Sequence, residues 1–241
     1  MRVTVIGCSP AWPNAGGAQS GYLVENDDGR RLLLDCGPGV LARLRANDGG
    51  WPRVDAVAIT HFHLDHWGDL VPWIFGAAFG PGSRAKKPTL WLPPSGRDRL
   101  DDFGKRMSFV NQIDDAFETS EYEDDTTFEA AGFDVTPHRL DHYSELTFGL
   151  RVRNHHSTLA YSGDTGPTER LVELAKDVDL FLCEATLNGP EPAERGHLSE
   201  DEALDAFRSS GAKRLVVIHR PDELPLSADV ERAADGDVLE V

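Results

Sequence analysis

The sequence predicts an α/β fold, in which β-strands and α-helices alternate along the chain. Short runs rich in Val, Ile and Leu recur in both halves, and segments between several of them have the spacing and capping residues of helices. With 241 residues, of which 40% are apolar and 27% are charged, the chain has the composition of a globular domain. We therefore expect a single domain over residues 1–241.

In the first half, the apolar runs predict strands at Val3–Ile6, Tyr22–Glu25, Arg31–Asp35 and Val54–Ile59. A short helix is expected at Val40–Arg45, after the turn Gly37-Pro38-Gly39, and Cys8–Gly17 is expected to be a surface loop. The acidic segment Asp101–Asp125 carries apolar residues at helical intervals. It predicts one or two helices that cover the sheet and bury Phe103, Met107, Phe109, Ile113 and Phe117.

The second half predicts further strands and two helices. The strands are expected near Phe133–Thr136, Leu146–Val152, Thr158–Ser162, Leu180–Cys183 and Leu215–Ile218. The helices are expected at Pro167–Ala175 and Ser199–Ser209. Ser199 and Glu202 form a capping-box pattern, so we expect His197 to lie in the loop that precedes this helix.

The charge of the chain excludes some classes of function. The chain has 24 Lys and Arg residues and 41 Asp and Glu residues, which gives a formal net charge of −17. This charge repels polyphosphate and argues against an extended nucleic-acid groove. No apolar run approaches the roughly 20 residues needed to cross a bilayer, and the first residues lack the pattern of a signal peptide. We expect a cytoplasmic protein with small-molecule substrates. Its three cysteines, Cys8, Cys36 and Cys183, are expected to be buried thiols.

The strongest chemical signal is the segment His61-Phe62-His63-Leu64-Asp65-His66, directly after the apolar run Val54–Ile59. Three imidazoles and a carboxylate within six residues are donors that zinc and related cations prefer. The alternation of a strand end would send His61 and His63 one way, so that Asp65 and His66 can turn toward a neighbouring site.

The motif HxHxDH after an apolar strand resembles the signature of the metallo-β-lactamase superfamily. The resemblance extends over nearly the whole chain and is closest to the ribonuclease Z-like branch. Its further positions are Asp35 in LLLDCG, His142 in DHYSELTFGLRV, Asp164 in YSGDTG, Glu184 in CEAT, His197 in GHLS and His219 in LVVIHR. The fold it implies is a four-layered αββα sandwich, with the site at one edge where strand ends from both halves meet.

Carried over by position, the resemblance implies two divalent metal ions. His61, His63 and His142 would bind one, Asp65, His66 and His219 the other, and Asp164 would bridge both. Zinc is the expected metal, and manganese and iron are compatible with these donors. Alternatively, Asp164 is an ordinary turn residue and His219 an ordinary residue at a strand end. His138, four residues before His142, is an alternative candidate for the ligand position. For Asp35 the resemblance suggests hydrogen bonds that orient the ligand loop, although an Asp at a strand-to-turn junction also needs no special role.

The expected catalytic residues are His197, Glu184 and Asp65, the last also being a metal ligand. In ribonuclease Z-like enzymes a Glu of the E-A-T segment orients a His toward the scissile phosphate. Without that pattern, Glu184 would be read as a strand-end carboxylate and His197 as a loop residue before a helix.

The function we expect is dinuclear metal-dependent hydrolysis of a small phosphodiester such as a cyclic nucleotide. HFHLDH also resembles the HxHLDH core of class II cyclic-nucleotide phosphodiesterases. Ribonuclease Z carries a long arm between the positions of His142 and Asp164, where this chain has only 21 residues. The alternatives are a thioester or lactone hydrolase, a ribonuclease Z-like tRNA 3′ processing enzyme, and a non-catalytic scaffold, which the intact ligand positions argue against. Relatives are often dimers, so a homodimer is expected.

Overall fold

Two β-sheets packed face to face form the centre of the molecule. The computed structural model describes residues 1–190, 192–193 and 195–241. The strands are β1 (Arg2–Gly7), β2 (Gly21–Glu25), β3 (Arg31–Leu34), β4 (Ala56–Ala58), β5 (Thr89–Leu92), β6 (Glu118–Glu121), β7 (Phe128–Ala130), β8 (Phe133–His142), β9 (Glu145–Arg153), β10 (Thr158–Tyr161), β11 (Leu180–Glu184), β12 (Leu215–Ile218) and β13 (Val238–Glu240). The helices are α1 (Val40–Asp48), α2 (Leu64–Trp67), α3 (Leu70–Phe79), α4 (Gly96–Met107), α5 (Val110–Ala116), α6 (Glu169–Leu174) and α7 (Glu200–Ser210).

Neighbouring strands in both sheets are consecutive in the chain, except that β13 pairs with β1. The first sheet has the order β13-β1-β2-β3-β4-β5-β6, and the second has the order β12-β11-β10-β9-β8-β7. Strands β3 to β6 are parallel in the first sheet, and β10, β11 and β12 are parallel in the second. Parallel strands present their carboxyl ends at one edge, which is where open α/β sheets concentrate their sites.

Side-chain alternation along the strands builds three cores. Leu32 and Leu34 of β3 pack against the second sheet, whereas Leu33 between them packs against α1, α3 and neighbouring helices. On the other side, Phe181 of β11 packs against α6 and α7. The order helix, sheet, sheet, helix confirms the four-layered αββα arrangement. In the described part of the chain, no helix is both long enough and apolar enough to span a membrane.

The sequence-predicted elements are largely present, with corrections at their ends. Helix α1 runs three residues beyond the predicted Arg45 and ends before Gly49, whose φ of 64° is left-handed. The capping box at the start of α7 is confirmed. Within Asp101–Asp125 the all-helical expectation is wrong, because Glu118–Glu121 pairs with β5 as edge strand β6. Of the apolar residues there, Met107 is exposed, contrary to expectation.

Candidate metal centre

The loop after β4 carries four of the predicted site residues. His61 lies shortly after β4, outside the strand, and α2 begins at Leu64 after His63, whose backbone is extended. This change from extended to helical backbone separates the directions of the side chains. His61 and His63 lie in one group of donors, and Asp65 and His66 lie in another.

Backbone hydrogen bonds hold this loop against the end of β3. The Cys36 amide donates to the carbonyl of His66 at 2.7 Å, and the Ser20 amide donates to that of Asp65 at 3.2 Å. A Cβ atom on Gly37 would lie only 1.9 Å from the Asp65 carbonyl oxygen. Gly37 is therefore required for the loop to approach β3 this closely.

Two sets of donors converge at the edge where both sheets end. We call His61, His63, His142 and Asp164 the first donor set, and Asp65, His66, Asp164 and His219 the second. Within each set the potential ligand atoms lie within 4.8 Å of one another. All of these residues are buried except His63, which is exposed.

Asp164 belongs to both sets because its two oxygens face different groups. Its Oδ2 lies 3.8 Å from Nε2 of His61 and 3.9 Å from Nε2 of His142. Its Oδ1 lies 3.1 Å from Nε2 of His66 and 3.5 Å from Nε2 of His219. A carboxylate in this position can bridge two cations.

Unsatisfied atoms in this cluster indicate that it suits cations. Nε2 of His61 is buried without a hydrogen-bond partner among the described residues, and Nε2 of His66 and Oδ1 of Asp164, although 3.1 Å apart, lack the geometry of a hydrogen bond. Buried polar atoms are seldom left unpaired, because the loss of hydration costs about 1–3 kcal/mol for each. Imidazole nitrogens and carboxylate oxygens are preferred donors for zinc, so the residues present fit a divalent metal at each set.

Hydrogen bonds outside the cluster fix the orientation of four imidazole rings. In each ring Nδ1 is engaged, so that Nε2 remains toward the centre. The Nδ1 partners are Thr60 Oγ1 for His61 (3.1 Å), Asp35 Oδ2 for His66 (2.6 Å), the Gly196 carbonyl for His142 (2.5 Å) and Thr186 Oγ1 for His219 (2.8 Å). The contact of Asp35 with His66 agrees with the orienting role that the sequence suggests.

Burial and charge favour the protonation states needed for metal binding in the first set. Burial lowers the pKa of His61 well below its usual value, and it also lowers the pKa of His142. Burial alone would raise the pKa of Asp164, but His219 and His66 hold it well below its usual range. Neutral imidazoles and an ionised carboxylate are the forms that bind cations.

Glu184 and His197 are in direct contact beside the second set. Nδ1 of His197 lies 2.8 Å from Oε1 of Glu184, which is fully buried at the end of β11. The backbone amides of Thr165 (2.9 Å), Thr186 (3.1 Å) and Leu198 (3.3 Å) also donate to this carboxylate. Glu184 is thus fixed in position, and it fixes the His197 ring in turn.

The structure brings together all the site residues expected from the sequence, and their roles as ligands and catalytic groups stay predictions. The competitor His138 lies apart from both donor sets and is 3.2 Å from Asp125. Sequence reasoning missed Thr186, whose hydroxyl donates to Glu184 at 2.7 Å and lies 2.8 Å from Nδ1 of His219. It also missed Tyr161, which donates to Asp35 at 2.6 Å. The only signal for Thr186 was its place in the CEAT segment.

The chain is similar in sequence to proteins of the β-lactamase superfamily. The model of the β-lactamase superfamily domain matches residues 30–220. The uncharacterised protein Rv1339 of Mycobacterium tuberculosis is 33% identical over 227 residues, covering 92% of this chain and 81% of that protein. The probable metallo-hydrolase YhfI of Bacillus subtilis is 30% identical over 224 residues (92% and 87%). Ribonuclease Z of Metallosphaera sedula is 27% identical over 266 residues (91% and 88%).

Solved structures share the fold. The metallo-β-lactamase fold protein YhfI from Bacillus subtilis superposes with a TM-score of 0.80 and 26% identity, over 99% of both chains. A diphosphatase from the PhnP family has a TM-score of 0.80 at 19% identity, over 100% of this chain and 97% of that one. The short form of human tRNase Z has a TM-score of 0.77 at 22% identity, over 100% and 99%. The last two likenesses show the fold alone.

Proposed function

This chain is a metal-dependent hydrolase of the β-lactamase superfamily, and from that premise we propose that it hydrolyses small phosphodiesters, such as cyclic nucleotides. The observation that carries the proposal is the contact of His197 with Glu184 beside two donor sets that share Asp164. This arrangement supplies positions for two cations and an imidazole that can transfer a proton. Hydrolysis of a phosphodiester uses both.

In this proposal each donor set would hold one divalent cation, and Asp164 would serve both sets. Zinc fits the imidazole and carboxylate donors, and manganese and iron are compatible with them. When bound, two such cations lower the pKa of water enough for attack at neutral pH and neutralise charge on phosphate oxygens. The chain's contribution is to hold the donors in place through Asp35, Thr60, Thr186 and the Gly196 carbonyl.

His197 would serve as the general acid. Its Nδ1 is engaged with Glu184, so the proton available for transfer is on Nε2. A carboxylate next to an imidazole stabilises the imidazolium form, which can donate to the leaving oxygen of the substrate. Three backbone amides hold Glu184, which in turn favours one orientation of the His197 ring.

The size of the substrate is argued from the chain between His142 and Asp164. Residues 143–163 are used by a tight turn, β9, a second turn and β10, which leaves no length for a projecting arm. The alignment with ribonuclease Z extends over 266 positions, more than the 241 residues of this chain. Together with a net charge of −17, this favours a single phosphodiester over a folded RNA.

Hydrolysis of bis(p-nitrophenyl) phosphate and of cyclic nucleotides by the purified protein, loaded with zinc or manganese, tests the proposal. A precursor tRNA and a glutathione thioester serve as competing substrates, and Asp164→Ala serves as the inactive control. We expect turnover of the phosphodiesters and little cleavage of the tRNA at physiological salt. Efficient 3′ trimming without cyclic-nucleotide turnover, or turnover of the thioester alone, would contradict the proposal.

A further inference from the structure

Tyr143 has an unusual place at the rim of the candidate centre. It lies in the tight turn that joins β8 to β9, directly after His142, and its backbone φ is 47°. This left-handed conformation is unfavourable for a bulky residue and is found chiefly where the surrounding structure or function requires it. The residue is nevertheless 41% exposed, so burial of the ring does not account for the choice of tyrosine.

The ring of Tyr143 is held beside the proposed acid. Its centroid lies 5.2 Å from that of His142 and 5.7 Å from that of His197. A Cβ atom on Gly196 would lie 2.2 Å from Cε2 of Tyr143, which means that the ring packs directly on the Gly196 backbone. Tyr143 therefore places a partly exposed aromatic ring next to the centre.

We propose that the Tyr143 ring is a stacking surface for the base of a nucleotide substrate, an inference that rests on the proposed function. Among natural phosphodiesters, nucleotides are those that carry a flat aromatic group, and bases stack on exposed tyrosine rings. The position of the ring, next to both His142 and His197 at the rim of the centre, suits a base connected through its sugar to a phosphate at the centre.

The negative charge of the protein also favours a short nucleotide over a long one. A site that stacks one base without a basic groove selects short ligands, since a polynucleotide needs Lys and Arg residues along its phosphates. The chain has a net charge of −17. The substrate class is therefore a cyclic mononucleotide, of which a mononucleotide is the hydrolysis product.

Paired inhibitors test this inference. Adenosine 5′-monophosphate and ribose 5-phosphate carry the same sugar and phosphate, and only the first has a base. Their inhibition constants against bis(p-nitrophenyl) phosphate hydrolysis are measured for the wild type, Tyr143→Phe, Tyr143→Leu and Tyr143→Ala. Phe79→Ala removes another exposed aromatic side chain, on α3, and is the matched control.

Stacking predicts that Tyr143→Ala and Tyr143→Leu raise the inhibition constant of adenosine 5′-monophosphate by about 5- to 100-fold. The inhibition constant of ribose 5-phosphate should change by less than about twofold. Tyr143→Phe and Phe79→Ala should match the wild type. Equal weakening of both inhibitors, or a loss with Tyr143→Phe as large as with Tyr143→Ala, would overturn the inference. A wild type that hydrolyses no phosphodiester would instead overturn the proposed function, and that result is known before any variant is made.

Discussion

Nδ1 of His66 lies 2.6 Å from Oδ2 of Asp35, in a buried contact between the ligand loop and the end of β3. The same oxygen accepts hydrogen bonds from the hydroxyls of Tyr161 (2.6 Å) and Thr60 (2.8 Å). Because Nδ1–H of His66 donates to this carboxylate, Nε2 is left facing the second donor set. The sheet therefore determines which nitrogen is offered to a cation.

The first prediction concerns Asp35→Asn, which keeps the shape of the side chain and removes its charge. We expect the affinity of the second donor set for zinc to fall by about 10- to 100-fold, because the amide no longer favours the correct tautomer of His66. Titration of the metal-free protein with zinc measures this. Asp27→Asn, in an exposed turn, is the control. Binding as tight as in the wild type would show that Asp35 does not orient the ring.

Asp164→Ala should lose cations from both donor sets, since its two oxygens face different sets. Elemental analysis should show about two divalent metals per chain in the wild type and less than one in the variant. His138→Ala, four residues before His142, should retain the full content. Retention of one tightly bound metal by Asp164→Ala would argue against a shared carboxylate.

His197→Ala should keep the metal content and the fold but lower kcat by about 10²- to 10⁴-fold, as expected on loss of a general acid. Glu184→Gln should have a milder effect, and the double variant should be no worse than His197→Ala, because the two residues act as one unit. His156→Ala removes an exposed imidazole and serves as the control. Loss of one metal from His197→Ala would identify His197 as a ligand instead.

Arg220, directly after His219, should contribute strongly to stability. Its buried guanidinium donates to the carbonyls of Ala185 (2.6 Å), Leu187 (2.7 Å) and Leu224 (2.7 Å). Arg220→Met would remove the donor from these buried and half-buried carbonyls, and we expect the free energy of unfolding to fall by about 2–4 kcal/mol. Urea denaturation measures this change. Arg208→Met, on the exposed face of α7, should cost less than about 1 kcal/mol; an equal loss in the two variants would contradict the role of Arg220.

The three cysteines should not react with iodoacetamide in the native protein. Cys8, Cys36 and Cys183 are free and buried, and burial raises the pKa of each thiol well above its usual value. A raised pKa keeps the thiol protonated at about pH 8, so the reactive thiolate is absent. Mass spectrometry should detect alkylation of the three only after denaturation. Rapid labelling of Cys8 in the folded state would show that this end of the fold opens.

Local patterns predicted the parts of the fold whose signals lie within a few residues. The capping box of Ser199 and Glu202 predicted the start of α7, and the apolar run before His61 predicted the buried strand. The segment 118–121 failed this test, because its polar sequence becomes a strand only through pairing with β5. An edge strand of this kind is determined by its neighbour rather than by its own side chains.

In the candidate site, too, the local patterns could be predicted and the long-range contacts could not. Spacing and strand ends predicted its histidines and acids, but nothing in the local sequence showed that Tyr161 reaches Asp35, 126 residues away. The role of Thr186 between Glu184 and His219 likewise depends on the parallel pairing of β11 with β12. Contacts made across a sheet are not encoded in the spacing of either partner.

Each donor set takes residues from the ends of both sheets, so a bound cation would tie the two sheets together. A cation held by His63 and His142 would cross-link two points that are 79 residues apart in the chain, as a disulfide does. The unfolded chain cannot present such a set, so binding would add directly to the free energy of unfolding. The concentration of free metal would then set the stability of the folded protein as well as its rate of hydrolysis.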